Sequence, residues 1–158
     1  MPTSMQSNRS KGTKIEVLLA KELWHRGLRY RLNDRTLPGT PDISFKSRRL
    51  AVFCDGEFWH GRDWEQRKHN IHSNRDYWWP KIERNQQRDR QVDAQLRALG
   101  WQVLRFWETD LRRHLTACAD RVEEAWRASE KKRIRKTYQL DTQYDLAAAE
   151  TTDWWPQE

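Results

Sequence analysis

The spacing of apolar residues changes several times along the chain, and each change marks a predicted element. Residues 1–12, MPTSMQSNRSKG, show no period and read as a mobile basic arm. Thr13 followed by Glu16 has the form of a capping box, and Ile15, Leu18, Leu19 and Leu23 then recur at helical spacing until Gly27. The period shortens to two in LRYRLN (28–33), a strand, before the turn-forming DRTLPG (34–39). TPDISF (40–45) and RRLAVFCD (48–55) read as two further strands joined by a short basic turn near Lys46 and Ser47. Residues 56–80 are aromatic, basic and irregular, and read as a long loop. Ile82, Val92, Leu96 and Leu99 predict a helix from about Lys81 to Leu99, stopped at Gly100. WQVLRFW (101–107) reads as a strand, and Leu111, Leu115, Cys118, Val122 and Trp126 mark a last amphipathic helix.

Helix, three strands, loop, helix, strand and helix in that order imply an α/β domain with a mixed β-sheet flanked by helices. The expected organisation is an arm over 1–12, a folded domain over 13–127 and a charged extension over 128–158 whose pattern is weak.

Composition changes the picture mainly through charge. The 158 residues carry 30 Lys and Arg against 23 Asp and Glu, a net charge of +7, which favours a polyanionic partner such as nucleic acid. Ten Trp is an unusual number, and Trp64, Trp78, Trp79, Trp154 and Trp155 fall in polar stretches. A Trp outside the core serves base stacking or an interface, although Trp154 and Trp155 read better as surface filling. Two cysteines, Cys54 and Cys118, with no CxxC, argue against a disulfide framework or a closed cysteine zinc site. No apolar run approaches a membrane-spanning length and no signal peptide is visible, so the expected location is the cytoplasm, with no membrane partner.

The chemistry-bearing residues follow the strands. A hairpin turning near Lys46 brings Asp42, at the start of one strand, beside Asp55, at the end of the next. Two carboxylates aimed at one place repel unless a cation lies between them, and an all-oxygen donor set suits Mg²⁺. Glu57, two residues on, is a candidate third ligand, with pairing to an arginine such as Arg62 as the alternative. Taken singly, each acid is also an ordinary turn residue. His60 titrates near neutrality and can take a proton from an attacking water. Phe58 and Trp59, and Trp78 and Trp79 with Arg75, Lys81, Arg84 and Arg88 close in sequence, interleave aromatics with cations as a nucleic-acid surface does.

Five segments, SNRSKGTKIE, LPGTPDISF, AVFCDGEFWHG, SNRDYWWPKIERNQQRDRQVD and LRALGWQVLRFWE, resemble in order and spacing the very-short-patch-repair DNA mismatch endonucleases. The resemblance implies a restriction-endonuclease-like fold of the PD-(D/E)XK kind and Mg²⁺-dependent nicking of double-stranded DNA at a thymine–guanine mismatch in a bacterial cell, with other repair proteins as further candidate partners. It implies that Asp42 binds the metal, that His60 activates the water, that Glu16 is an acid of the active site, and that Asp55 fills a position held by histidine or aspartate. It also implies that Cys54 offers a backbone carbonyl to the metal, and that Phe58, Trp59 and Trp78 wedge into the DNA stack. One departure stands out. Better-known members hold a structural zinc around this loop, whereas Glu57 occupies a cysteine position and WET (107–109) lacks the final cysteine. No structural zinc is therefore expected, and the loop is expected to be held by packing around Trp64 and Trp107. Two other readings remain: a restriction-type or defence endonuclease acting on a specific or modified sequence, and a non-catalytic DNA-binding module, which converging carboxylates disfavour.

Overall fold

Helix α1 (Lys14–His25) forms where Ile15, Leu19 and Leu23 recur every four residues, and it buries that stripe together with Ala20. These positions come from a computed structural model that describes the fold of residues 14–150. The arm over 1–12, the Thr13 cap, Trp154 and Trp155 lie outside the described residues. Leu18, expected in the stripe, is exposed, because each residue turns 100° around a helix and the buried face here is narrow. Gly27, at φ +85°, closes the helix: its N–H reaches the Trp24 carbonyl and the Leu28 N–H reaches that of Leu23.

Strands β1 (Arg31–Leu32), β2 (Ile43–Phe45), β3 (Leu50–Asp55) and β4 (Gln102–Trp107) form one sheet in the order β1-β2-β3-β4. The first three run antiparallel to their neighbours and β3 pairs with β4 in parallel, the mixed sheet that the element order implied. β1 is far shorter than the stretch 28–33: Leu28 still belongs to the turn that closes α1, and Asn33, at a left-handed φ of 48°, ends the strand. Between β2 and β3 the chain reverses through a single 3₁₀ turn, Lys46–Arg48, where the sequence predicted it.

The segment 56–80 is the main correction. Instead of one irregular loop, it holds two single-turn helices, α2 (Glu57–His60) and α3 (Trp64–Arg67), a 3₁₀ turn, Lys68–Asn70, and the start of α4 (Arg75–Ala98). Helix α4 begins six residues before the predicted Lys81 and contains Pro80. At this depth the proline removes only one backbone bond near the first turn, while Trp78 packs on Trp59 and Trp79 on Trp64. After β4 come α5 (Glu108–Arg113) and α6 (Leu115–Glu150), so the boundary expected at 127/128 falls inside one continuous helix.

The sheet separates two cores. Ile43, Phe45, Leu50, Val52 and Phe106 face α1 and α6, while Ala51 and Phe53 face Val92 and Leu96 of α4. Among the described residues no helix is long and apolar enough to cross a membrane.

One buried acid ties the sheet's edge together. Asp34 accepts from the N–H and hydroxyl of Thr36 and from the hydroxyl of Ser44, with Lys46 Nζ 3.7 Å away. The Thr36 hydroxyl bond, opposed by burial and reinforced by Ser44, holds its carboxyl down to about 2. A group with a depressed folded value stabilises fully above its unfolded value of 3.8 and loses that contribution as pH falls toward about 2. Asp34→Ala, which strands the Ser44 hydroxyl, should lower stability by about 1–3 kcal/mol. Urea titrations should show the wild type, but not this variant, losing that increment between pH 4 and pH 2. Equal stability at neutral pH would refute the assignment.

Candidate active site

The hairpin register decides the geometry. Ile43 faces Val52, so one step further Asp42 lies opposite Phe53, and side chains two apart on a strand share a face. Asp42 and Asp55 therefore project from the same side of the sheet, the side covered by α4. Asp42 Oδ2 accepts the Cys54 N–H at 2.7 Å, which fixes its carboxylate against the end of β3. Both acids line a cleft of about 400 Å³ together with Glu16, His60, Asp89 and Arg105.

His60 is the last residue of α2, whose turn begins directly after β3. Its Nδ1 lies 2.6 Å from Asp89 Oδ2, and its Nε2 lies 3.7 Å from Asp55 Oδ1. An ionised carboxylate only accepts, so Asp89 places the proton of the neutral ring on Nδ1 and leaves the Nε2 lone pair toward the cleft. Burial works against the charged ring, but the Asp89 bond and the nearby Asp55 charge raise His60 above its ordinary value. Arg105 balances the acids from beneath. Its guanidinium lies 3.1 Å from Asp55, 2.7 Å from Asp93 and 3.7 Å from Asp89, and stacks 4.2 Å from the Phe53 ring.

Even with Arg105 present, the cleft carries excess negative charge at Asp42. Burial, countered by the Cys54 bond and reinforced by Glu16 and Asp55, pushes its carboxyl up to about 7. Asp55 is also raised, by burial first, against the pull of His60 and Arg105. Carboxylates held in a charge-crowded place fit a bound divalent cation, which would relieve the repulsion. Among the described residues Asp55, His60 and Asp89 also lie close enough to ligate one ion. The 2.6 Å bond between His60 and Asp89 already engages Nδ1, and hard cations favour carboxylate oxygens such as those that Asp42 and Asp55 offer.

Comparison with known proteins shows the family to which the chain belongs. The family model described as "DNA mismatch endonuclease Vsr" matches residues 2–66. Type II nicking enzyme V.NmeDIP of Neisseria meningitidis serogroup C is 56% identical over 123 residues, covering 78% of this chain and 83% of that protein. DNA mismatch endonuclease Vsr of Escherichia coli K12 is 37% identical over 145 residues, covering 89% and 88%. The chain belongs to the Vsr family. It is a DNA endonuclease with a restriction-endonuclease-like fold, as its mixed sheet and flanking helices show. Type II nicking enzyme V.HpaIIP of Haemophilus parainfluenzae is similar at 56% identity over 105 residues, 66% of this chain and 74% of that protein.

In this Vsr-family chain the residues singled out from sequence fall in separate places. Glu16, Asp42, Asp55, His60 and Arg88 meet at the cleft, with Cys54 beside them. The Cys54 thiol is pushed up by burial and then by the Asp42 charge, so it stays protonated, and its side chain packs on the α1 and α6 side. Glu57 is not brought to the cleft. Its Oε1 accepts from Thr109 and lies 3.6 Å from Arg62, the alternative weighed from sequence. Phe58, Trp59 and Trp78 form an edge-to-face cluster with centroids 5.3 to 5.6 Å apart, and Lys81 reaches Trp59 and Trp78. Trp79 turns the other way. It packs on Trp64 and His69, and its Nε1 is buried without a partner among the described residues. Trp79 thus stands apart from the cluster of Phe58, Trp59 and Trp78. Trp64 is likewise buried, bonding Glu83, and Arg75 caps the Ile71 carbonyl. Arg84 is exposed on α4.

Sequence reasoning missed Asp89 and Arg105. The signal for the first was present: Asp89 and Asp93 share a helix face with the buried Val92 and Leu96. Acids flanking an apolar stripe face a partner cation rather than water. Arg105 alternates with Leu104 and Phe106 in β4, and only the parallel register of β3 and β4, which pairs it with Phe53, aims it at Asp55.

Proposed function

We propose that this endonuclease nicks one strand of double-stranded DNA at a thymine–guanine mismatch, using Mg²⁺. The observation that carries the reading is the meeting of Asp42, Asp55 and the His60–Asp89 pair in one cleft, next to an aromatic cluster fringed by Lys81. A divalent ion held by Asp42 and Asp55 would supply charge neutralisation at the scissile phosphate. His60 takes the proton of a water through Nε2 as the water oxygen bonds to phosphorus and the ester P–O bond breaks, the departing oxygen taking a proton from solvent water. Asp89 holds the ring and stabilises the imidazolium that forms. Arg105 keeps Asp55 and Asp89 in place while charge shifts between them.

Recognition falls to the aromatic cluster. Phe58, exposed at 45%, stands with Trp59 and Trp78 where a wedge can enter a base step, and unstacking costs least at a mispair. Lys81, Arg84 and Arg88 lie three and four residues apart, one stripe of α4 spanning about 10 Å from the cluster to the cleft. Such a stripe follows a phosphate backbone. A DNA substrate in a bacterial cell is a cytoplasmic one.

Relatives carry the name type II nicking enzyme, which fits a second reading: a restriction-type or defence endonuclease of the same fold acting on a specific or modified sequence. End-labelled duplexes that differ only in a T:G or a T:A pair separate the two. The first reading expects a nick on the T:G duplex alone, abolished by EDTA, and expects Trp59→Ala to erase the preference while paired-duplex affinity stays. Equal cutting of both duplexes would replace it with the second reading. Undiminished cutting in EDTA would remove the metal from either.

A further inference from the structure

Glu57 stands outside the catalytic cleft, yet it is the first residue of the turn that ends at His60. Its Oε1 accepts the backbone N–H of Thr109 at 2.7 Å and also the Thr109 hydroxyl. Thr109 is the second residue of α5, where backbone N–H groups have no partner within the helix, and the preceding Trp107 supplies no side-chain cap. Glu57 thus caps a helix 52 residues away in sequence. Arg62, just beyond α2, lies 3.6 Å from Glu57 and 3.4 Å from Asp110, with its guanidinium 5.5 Å from the Trp107 ring. On the opposite side, Asn85 and Gln86 of α4 donate to the carbonyls of Trp59 and Gly61.

A helix of one turn has no stability of its own, so α2 keeps its place only through such outside contacts. Besides the two neutral amide bonds, α4 holds α2 through the Asp89 bond to His60 and the packing of Trp78 on Phe58 and Trp59. The contacts from the β4–α5 junction include a carboxylate that makes two bonds and faces a guanidinium, so a charged group holds α2 on each side. The Glu57 carboxyl is held below its ordinary value because the Thr109 bonds outweigh the effect of burial.

We propose that Glu57 is a positioning residue: by capping α5 through Thr109 and pairing with Arg62, it fastens α2 to the end of β4 and so sets His60 in the cleft. The expected packing of Trp64 and Trp107 around this loop is then only part of what holds it. The proposal rests on the role assigned above to His60, and the two can fail separately.

Single-turnover nicking at saturating DNA, paired-duplex affinity without divalent ions, and thermal melting are measured on the full chain. Displacing a proton acceptor by about 1 Å costs on the order of 100-fold, so Glu57→Ala should slow nicking 10- to 100-fold and leave paired-duplex affinity within about threefold. Glu57→Gln, which keeps an acceptor for Thr109 but loses the charge facing Arg62, should fall between. Thr109→Ser retains both donors and should match the wild type, while Thr109→Val, lacking the hydroxyl, should lose several-fold in rate. Nicking within twofold of wild type for Glu57→Ala would overturn the proposal. So would Thr109→Ser being as slow as Thr109→Val, or a rate loss matched by an equal loss of affinity or by global unfolding. If instead His60→Ala retains full nicking, the assigned role of His60 is what fails.

Discussion

Asp42→Asn abolishes nicking, lowering the single-turnover rate by about a thousandfold or more, while the variant still binds duplex DNA. The estimate follows from removing a ligand of an ion that contributes several kcal/mol of charge neutralisation. Asparagine is the informative choice because its carbonyl oxygen can still accept the Cys54 N–H, so the end of β3 keeps its geometry. Alanine would add a stranded buried donor to the loss of charge. The same substitution carries a stability signature of opposite sign. The carboxyl of Asp42 is pushed up to about 7, which means that ionising it costs the folded state free energy. A raised acid destabilises progressively as pH rises from its unfolded 3.8 to about 7, and fully beyond. Without divalent ions at pH 8, therefore, Asp42→Asn should melt a few degrees above the wild type. Adding Mg²⁺ should raise the wild-type melting temperature and leave the variant unmoved. A variant that melts lower without ions, or that still gains stability from Mg²⁺, would show that Asp42 is neither crowded nor a ligand.

His60 and Asp89 carry the second large effect. His60→Ala should cost between about a hundredfold and ten-thousandfold in nicking rate, the range for a positioned proton acceptor. Asp89→Asn should cost somewhat less, because the amide still accepts from Nδ1 but cannot stabilise the charged ring. The double substitution should be no slower than His60→Ala alone, since Asp89 acts through the imidazole. The pH profile adds a sign. Asp89 raises His60 above its ordinary value, and only the unprotonated ring can act as base. Removing the carboxylate lowers that value, so the acidic limb of the rate profile should move toward lower pH in Asp89→Asn. Stabilisation by Mg²⁺ should persist in this variant. Its loss, or a limb that does not move, would make Asp89 a metal ligand instead.

Legibility from sequence differed from segment to segment, for physical reasons. The hairpin that presents Asp42 and Asp55 was visible because alternation, a basic turn and two acids at the far ends are local features with few alternatives. The segment 56–80 was misread because its helices α2 and α3 are single turns. Turns that short have no periodicity to read, and α4 accommodates Pro80 within its length. Tryptophan content gave no way to tell Trp78, beside Phe58 and Lys81, from Trp79, packed inward on Trp64 and His69. Neighbouring helical residues point 100° apart, so only the placement of α4 decides which side chains each one packs against.

The amino-acid order by itself determined the α/β class, the hairpin and the convergence of two acids and a histidine at its open end, because those depend on residues near each other in the chain. Tertiary structure alone decided the partners. Asp89 meets His60 across 29 positions, Arg105 meets Asp55 across 50, and Glu57 meets Thr109 across 52. Each of these pairings requires the crossover to bring α4 and β4 against β3. A charged side chain on a helix or strand gives no sign in its own neighbourhood of whether its counter-charge will be water or another residue, and the packing of distant elements settles which it is.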